Sequence, residues 1–346
     1  MFGVDQYQLN FVNGLSGDPA VHVYFPVLGQ GIQFDLGSLN NFSHKLLLKT
    51  RIFMVSHTHI DHFFGLDRLI RINIPHRRKV MLAGPKGFAR KVWHRFNSYS
   101  WNLLETGQIT FVVWEISKES ATCFELCNDD DFQPRQTISI PSIKGISTIE
   151  LASGASISAC PLDHGIDSVA YRYHFPIRSK VDINRIKQDG LAEGKWIKHL
   201  QKKVAQGELD HKIDVGGKPW LVNDLASRYL EKIDRFSICY LTDVAFTRNN
   251  LDKVKSLFAS SDVLISESSF MDCDRNRALA KKHLTTKQAA LLARICDVKD
   301  LKVFHFSNIY AGKTDQVEDE ASLCFSQFKA MNLSELGEQI DVELNS

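Results

Sequence analysis

The chain has 346 residues, 44% hydrophobic and 24% charged, with 20 Gly and 9 Pro; these proportions exclude a disordered or fibrous protein and describe a folded globular one. Forty-two Lys and Arg against 40 Asp and Glu give a formal net charge of +2, which excludes an indiscriminate polycation, so any nucleic-acid contact must come from a local patch. Seven scattered Cys without a CxxC pair exclude a disulfide framework and a Cys-based zinc finger and predict reduced thiols in an intracellular protein.

The opening MFGVDQYQLN carries Asp5 and no cationic segment followed by an apolar one, and no stretch approaches about 18 uncharged apolar residues. The expectation is a cytoplasmic protein with no membrane partner. In chain order, VHVYFPVLG and GIQFDLGS read as β-hairpins. RIFMVS, residues 51 to 56, reads as a buried strand, and FFGLDRLIRI as a helix after a loop. KVMLAG, ASISACPLDHG, FSICYLTD, DVLISESSF and LKVFHFS are further apolar runs, with a helical pattern in TTKQAALLARICDV. Strands alternating with helices behind an all-β-like beginning predict an α/β layered fold. With no repeat or long linker, residues 1–346 read as one domain with two insertions. That at about 93–150 is irregular and carries the acid run Asp129–Asp131; that at about 176–235 is helical and rich in Lys and Arg.

The sharpest chemical feature is His57-Thr58-His59-Ile60-Asp61-His62, four ligand-type residues within six, directly after the buried strand. Imidazole and carboxylate donors without thiolate suit zinc, manganese or ferrous iron in a hydrolytic site. His164, Asp243 and His305 repeat the placement, each at or near the end of an apolar run. If those strands share a sheet, their carboxyl ends converge on one rim. Seven ligands including one bridging carboxylate suffice for two metal ions about 3.5–4 Å apart.

These segments resemble the metallo-β-lactamase fold, whose HxHxDH signature HTHIDH matches. The later segments look most like its ribonuclease Z branch, the transfer-RNA 3′ processing endonucleases: FDLGS, AGPKGF, LDHGIDSVAYRY, LTD, SESSF, HLTTKQAALLA and HFSNIY. The resemblance implies a four-layer αββα sandwich and two zinc ions, with manganese or ferrous iron as alternatives. His57, His59 and His164 would hold the first ion, Asp61, His62 and His305 the second, and Asp243 would bridge both. SESSF stands where the family carries HEAT and HLT where it carries HST, which makes Glu267 and His283 the family's charge relay, protonating the leaving oxygen. Asp61 would also position the attacking hydroxide.

The stretch 181–208 is similar to the family's substrate-gripping arm. Its Lys195, Lys198, Lys202 and Lys203, preceded by Arg178, Lys180, Arg185 and Lys187, are candidates for phosphate-backbone contacts. The implied partner is precursor tRNA, cleaved at its 3′ side to leave a 3′-hydroxyl, by a homodimer. Four features depart from the family: no GTG-type opening turn with its basic loop, Gly194-Lys195-Trp196 in place of Gly-Pro, Ile309 in place of an arginine, and an insertion at about 93–150 without a counterpart. The altered opening and Ile309 leave a phosphodiesterase for small or cyclic nucleotides as an alternative, and a thiolester or lactone hydrolase of the same fold is another.

Overall fold

The computed structural model describes residues 7–26, 28–175, 179–205, 208–232 and 236–345. It divides into two compact units, one formed by residues 1–147, 159–172 and 239–346, the other by 148–158 and 173–238. The first strands, β1 (Gln8–Phe11), β2 (Val21–Phe25) and β3 (Gln30–Phe34), pair antiparallel. After helix α1 (His44–Lys49), β4 (Thr50–Met54) runs parallel to β3. Helices α2 (Ile60–Phe63) and α3 (Leu66–Asn73) lead into β5 (Lys79–Pro85), parallel to β4. Beyond α4 (Phe88–Phe96), β6 (Thr110–Ile116) is parallel to β5, while β7 (Ser120–Cys127) and β8 (Arg135–Pro141) follow antiparallel, giving one eight-stranded sheet in chain order.

Residues 93–150 are therefore not irregular, as the sequence pattern suggested, but supply strands of this sheet. The pattern misleads because β8 is exposed along nearly its whole length and offers only Ile138 and Ile140 among polar residues. The acid run is the turn between β7 and β8, with Asp131 in the left-handed region at φ 55°. The segment also builds core: fully buried Phe96 stacks on Phe132 at 4.2 Å between centroids and meets the edge of Phe111 at 5.1 Å. Phe96→Ala is expected to cost about 3–5 kcal/mol, measurable by urea denaturation.

Three strands, β9 (Ser147–Glu150), β10 (Ser156–Asp163) and β11 (Asp167–His174), precede a segment of small elements: β12 (Ser179–Val181), α5 (Ile183–Gln188), α6 (Lys195–Ala205), β13 (Lys212–Val215), β14 (Lys218–Leu221), α7 (Val222–Tyr229) and β15 (Leu230–Lys232). The chain then continues as β16 (Ser237–Leu241), α8 (Arg248–Phe258), β17 (Val263–Glu267), α9 (Arg275–Lys281), α10 (Thr286–Ile295), β18 (Asp300–Phe304), α11 (Thr314–Ala330) and α12 (Leu333–Asn345). The second sheet has the order β18-β17-β16-β11-β10-β9. Its β10, β16 and β17 are buried on both faces, which is why they read as unbroken apolar runs rather than alternating ones.

In the larger unit the two sheets pack face to face. Phe34 stacks on Tyr240 with centroids 4.7 Å apart, and Tyr171 donates its hydroxyl to the Val55 carbonyl at 2.8 Å. The outer face of the first sheet packs on α1, α3 and α4 through Leu47, Leu69 and Val92; that of the second packs on α8 and α10 through Val254, Leu257 and Leu292. Helix, sheet, sheet and helix make the expected four layers. Among the described residues no helix is long and apolar enough to cross a membrane.

The smaller unit has its own core of Ile186, Leu200, Ile213, Val222, Leu225 and Tyr229. On α6, Leu200 is buried while Lys195, Lys198 and Lys202 are exposed; their spacing of three and four residues sets them along one helix face. Lys203 is engaged instead with Glu208. Arg178, and the positions 176 and 235 that bound the expected arm, lie outside the described residues.

Candidate metal centre

The site forms where strands of the larger unit end. His57 stands three residues beyond β4, His164 one beyond β10, Asp243 two beyond β16 and His305 one beyond β18; Glu267 is the last residue of β17. Asp61 and His62 lie not in a loop but on the single-turn α2, with His59 as its N-cap residue. That turn is clamped to the loop after β3: the Leu36 N–H donates to the His62 carbonyl at 2.9 Å, and the Gly65 N–H to the Leu36 carbonyl at 2.7 Å. A Cβ at Gly65 would stand 2.3 Å from the Gly37 carbonyl oxygen, so only glycine allows this approach.

The structure brings all seven proposed ligands together. Ligand-type atoms of His57, His59, His164 and Asp243 lie within 4.8 Å of one another, and so do those of Asp61, His62 and His305. Asp243 belongs to both neighbourhoods: its Oδ2 is 3.2 Å from His164 Nε2, and its Oδ1 is 3.1 Å from His305 Nδ1 and 3.4 Å from His62 Nε2. Asp243 and His305 hold positive φ values of 49° and 59°, a backbone state that costs about 1 kcal/mol or more for a residue with a side chain.

Hydrogen bonds behind the cluster set which nitrogen faces it. His164 Nδ1 donates to the Lys282 carbonyl at 2.9 Å, so its Nε2 lone pair points inward. His62 Nδ1 donates to Asp35 Oδ2 at 2.8 Å, and its Nε2, fully buried, has no hydrogen-bond partner although Asp61 and Asp243 oxygens stand 3.4 Å away. Burial disfavours the His62 imidazolium, but the carboxylates of Asp243 and Asp35 outweigh it and raise its pKa well above the usual value. An inward-facing, unpartnered Nε2 with carboxylate oxygens of Asp61 and Asp243 3.4 Å away is an arrangement that a divalent cation fits. The His and carboxylate donors also match the preferences of zinc, manganese and ferrous iron.

Sequence reasoning missed Asp35, which holds this arrangement from behind. Fully buried at φ 53°, its carboxylate accepts from the Ser56 N–H at 2.6 Å, the Ser56 hydroxyl at 2.9 Å and the Tyr240 hydroxyl at 2.7 Å, besides His62. Ser56 Oγ in turn lies 3.1 Å from His57 Nδ1. The only signal was an acid directly after an apolar strand in FDLGS.

Beside the cluster, His283 Nδ1 donates to Glu267 Oε2 at 2.6 Å, and its ring stands 5.1 Å from that of His164 and 5.5 Å from that of His305. Glu267 is fully buried and also accepts from the Val244 N–H and the Ser269 hydroxyl, both at 2.9 Å. Burial raises the Glu267 carboxyl, yet the charge and hydrogen bond of His283 more than offset it and hold the pKa at about 2. Burial in turn lowers His283, and Glu267 outweighs it, so the net shift is upward. The residue sits in the tight turn between α9 and α10, fixed by Lys282 at φ 57° and by a capping box of Thr285 with Gln288. A cleft of about 420 Å³ opens here, lined by Asp61, His283 and His305.

Comparison with known proteins agrees with this geometry. Ribonuclease Z of Deinococcus radiodurans is 26% identical over 74% of this chain and 76% of its own. Ribonuclease Z of Protochlamydia amoebophila is 25% identical over 82% of this chain and 79% of its own. Among solved structures, the short form of human tRNase Z matches with a TM-score of 0.50 at 17% identity, covering 89% of this chain and 92% of that one. The metallo-β-lactamase fold protein YhfI from Bacillus subtilis matches with a TM-score of 0.52 at 13% identity, covering 91% and 92%. No protein-family model matches the sequence. The protein has the metallo-β-lactamase fold. Within that fold it is a ribonuclease Z-like protein, by similarity over about three quarters of its length or more.

Proposed function

We propose that the protein is a dinuclear metal-dependent phosphodiesterase that cleaves precursor tRNA at its 3′ side and leaves a 3′-hydroxyl. The observation that carries this reading is the His283–Glu267 pair at 2.6 Å beside the cluster; departure of the thiolate in thiolester hydrolysis has no need of such an acid. His57, His59 and His164 would hold one ion, and Asp61, His62 and His305 the other, with Asp243 between them. Two zinc ions, or manganese or ferrous iron, would supply Lewis acidity toward the phosphoryl oxygens and a water acidified to near neutral pH.

This chain's own residues do the rest. Asp61, half-buried at the cleft, accepts a hydrogen bond from the attacking hydroxide and orients it. His283, with Nδ1–H on Glu267, carries its second proton on Nε2 and delivers it to the departing 3′ oxygen. Glu267, kept ionised by its partners, fixes the imidazole's tautomer and stabilises its charge. Lys195, Lys198 and Lys202 on α6 are suited to a phosphate backbone. Cytoplasmic location, a homodimeric state and the absence of a membrane partner complete the reading.

The test is cleavage of a precursor tRNA carrying a short 3′ trailer by the zinc-loaded protein, by a chelated sample and by His59→Ala. A metal-dependent cut at the base of the acceptor stem, lost in the variant, is the expected result. Absence of that cut from protein that still hydrolyses an aryl phosphodiester would overturn the tRNA substrate and favour small or cyclic nucleotides.

A further inference from the structure

The cleft over the metal centre has two acidic lining residues, Asp18 and Asp61, and among its described lining residues a single lysine or arginine, Lys281. An entering phosphodiester therefore meets one permanent cation contributed by the cleft wall. Lys281 is the last residue of α9, two before His283, so the turn that presents the proton donor also sets the base of this side chain. Its ammonium stands 5.9 Å from the centroid of Phe270, whose ring is 6.3 Å from that of His283. The aromatic face thus holds the ammonium on the cleft side rather than leaving it to sweep through solvent.

The neighbouring Lys282 is different: its ammonium is 3.4 Å from Asp163 and its carbonyl is occupied by His164. Lys281 forms no ion pair among the described residues. An unpaired ammonium over an aromatic ring, in a cleft whose other polar lining is two carboxylates, two histidines and small groups such as Ser269 and Ser307, is poised for an anionic oxygen.

We propose that Lys281 is the phosphate-binding residue of the cleft. It takes a non-bridging oxygen of the substrate phosphodiester in the ground state and seats the phosphorus beside His283. This rests on the phosphodiesterase reading above. It deepens that reading by placing recognition of the reacting phosphate on a side chain of the α9–α10 turn rather than on the metal ligands alone.

The experiment compares the zinc-loaded wild type with Lys281→Met, which keeps the stem and removes the charge, and with Lys281→Arg, using bis(4-nitrophenyl) phosphate. Calorimetric binding of adenosine 5′-monophosphate gives a second readout. For the Met variant KM is expected to rise about tenfold with kcat within about twofold, affinity for the monophosphate to fall by a similar factor, and Arg to restore most of both. Unchanged KM and monophosphate affinity in an active Met variant would overturn the assignment while leaving the phosphodiesterase reading intact, as would a fall in kcat at constant KM. A metal-loaded wild type that hydrolyses no phosphodiester would instead sink the reading itself. The position is exposed, so loss of the fold does not obscure the result.

Discussion

His283→Ala is expected to lower kcat on a precursor tRNA by about 10² or more, with metal content unchanged. The ribose oxygen leaving phosphorus is a poor leaving group and needs a proton as the bond breaks, whereas 4-nitrophenolate departs without one. On bis(4-nitrophenyl) phosphate the same variant should therefore retain most of its rate. Equal losses on both substrates would assign His283 to structure or substrate binding instead. The companion Glu267→Gln gives the pH signature. Glu267 raises the His283 pKa against the lowering effect of burial, and a general acid works only while protonated, so the rate falls as pH rises through that pKa. Without the carboxylate's charge the pKa drops, and the alkaline limb of kcat moves to lower pH.

Asp35→Ala should have the second largest effect, although the residue is separated from the cleft by His62. Removing its carboxylate leaves the buried Ser56 N–H and hydroxyl, the Tyr240 hydroxyl and His62 Nδ1 without their common acceptor. Breaking a buried charged network in this way costs about 3–5 kcal/mol. His62 also loses the bond that fixes its tautomer, for which metal affinity falls about 10–100-fold. Denaturation of the chelated protein reads the first effect, and bound zinc after dialysis against a graded chelator reads the second. Wild-type zinc retention by the folded variant would remove Asp35 from the metal centre's support.

How far the site is legible in the sequence follows from how local each part is. HTHIDH is contiguous, and its chemistry is visible without a fold. His164, Asp243 and His305 are legible one step further, because each follows an apolar run long enough to be recognised as a buried strand, and strand ends converge. Asp35 fails this route, since its partners lie 21, 27 and 205 residues away and nothing nearby marks it as more than a turn acid. Of the fold, the doubly buried strands of the second sheet are plain as apolar runs. The exposed β8 is not, because an edge strand facing solvent has no core to impose an alternation. The partition into two compact units is equally invisible in composition, with no Gly- or Pro-rich linker at any of its four boundaries.

The left-handed backbone at Asp35, Asp243 and His305 is held in two different ways. At Asp35 the steric cost is offset by buried hydrogen bonds to Ser56, Tyr240 and His62. Asp243 and His305 face each other at 3.1 Å in the cluster, with Thr242 and Ser269 donating to them from the side, and glycine would occupy such backbone freely. Glycine at both positions, with Asp35 kept, would relieve the strain and end the chemistry together.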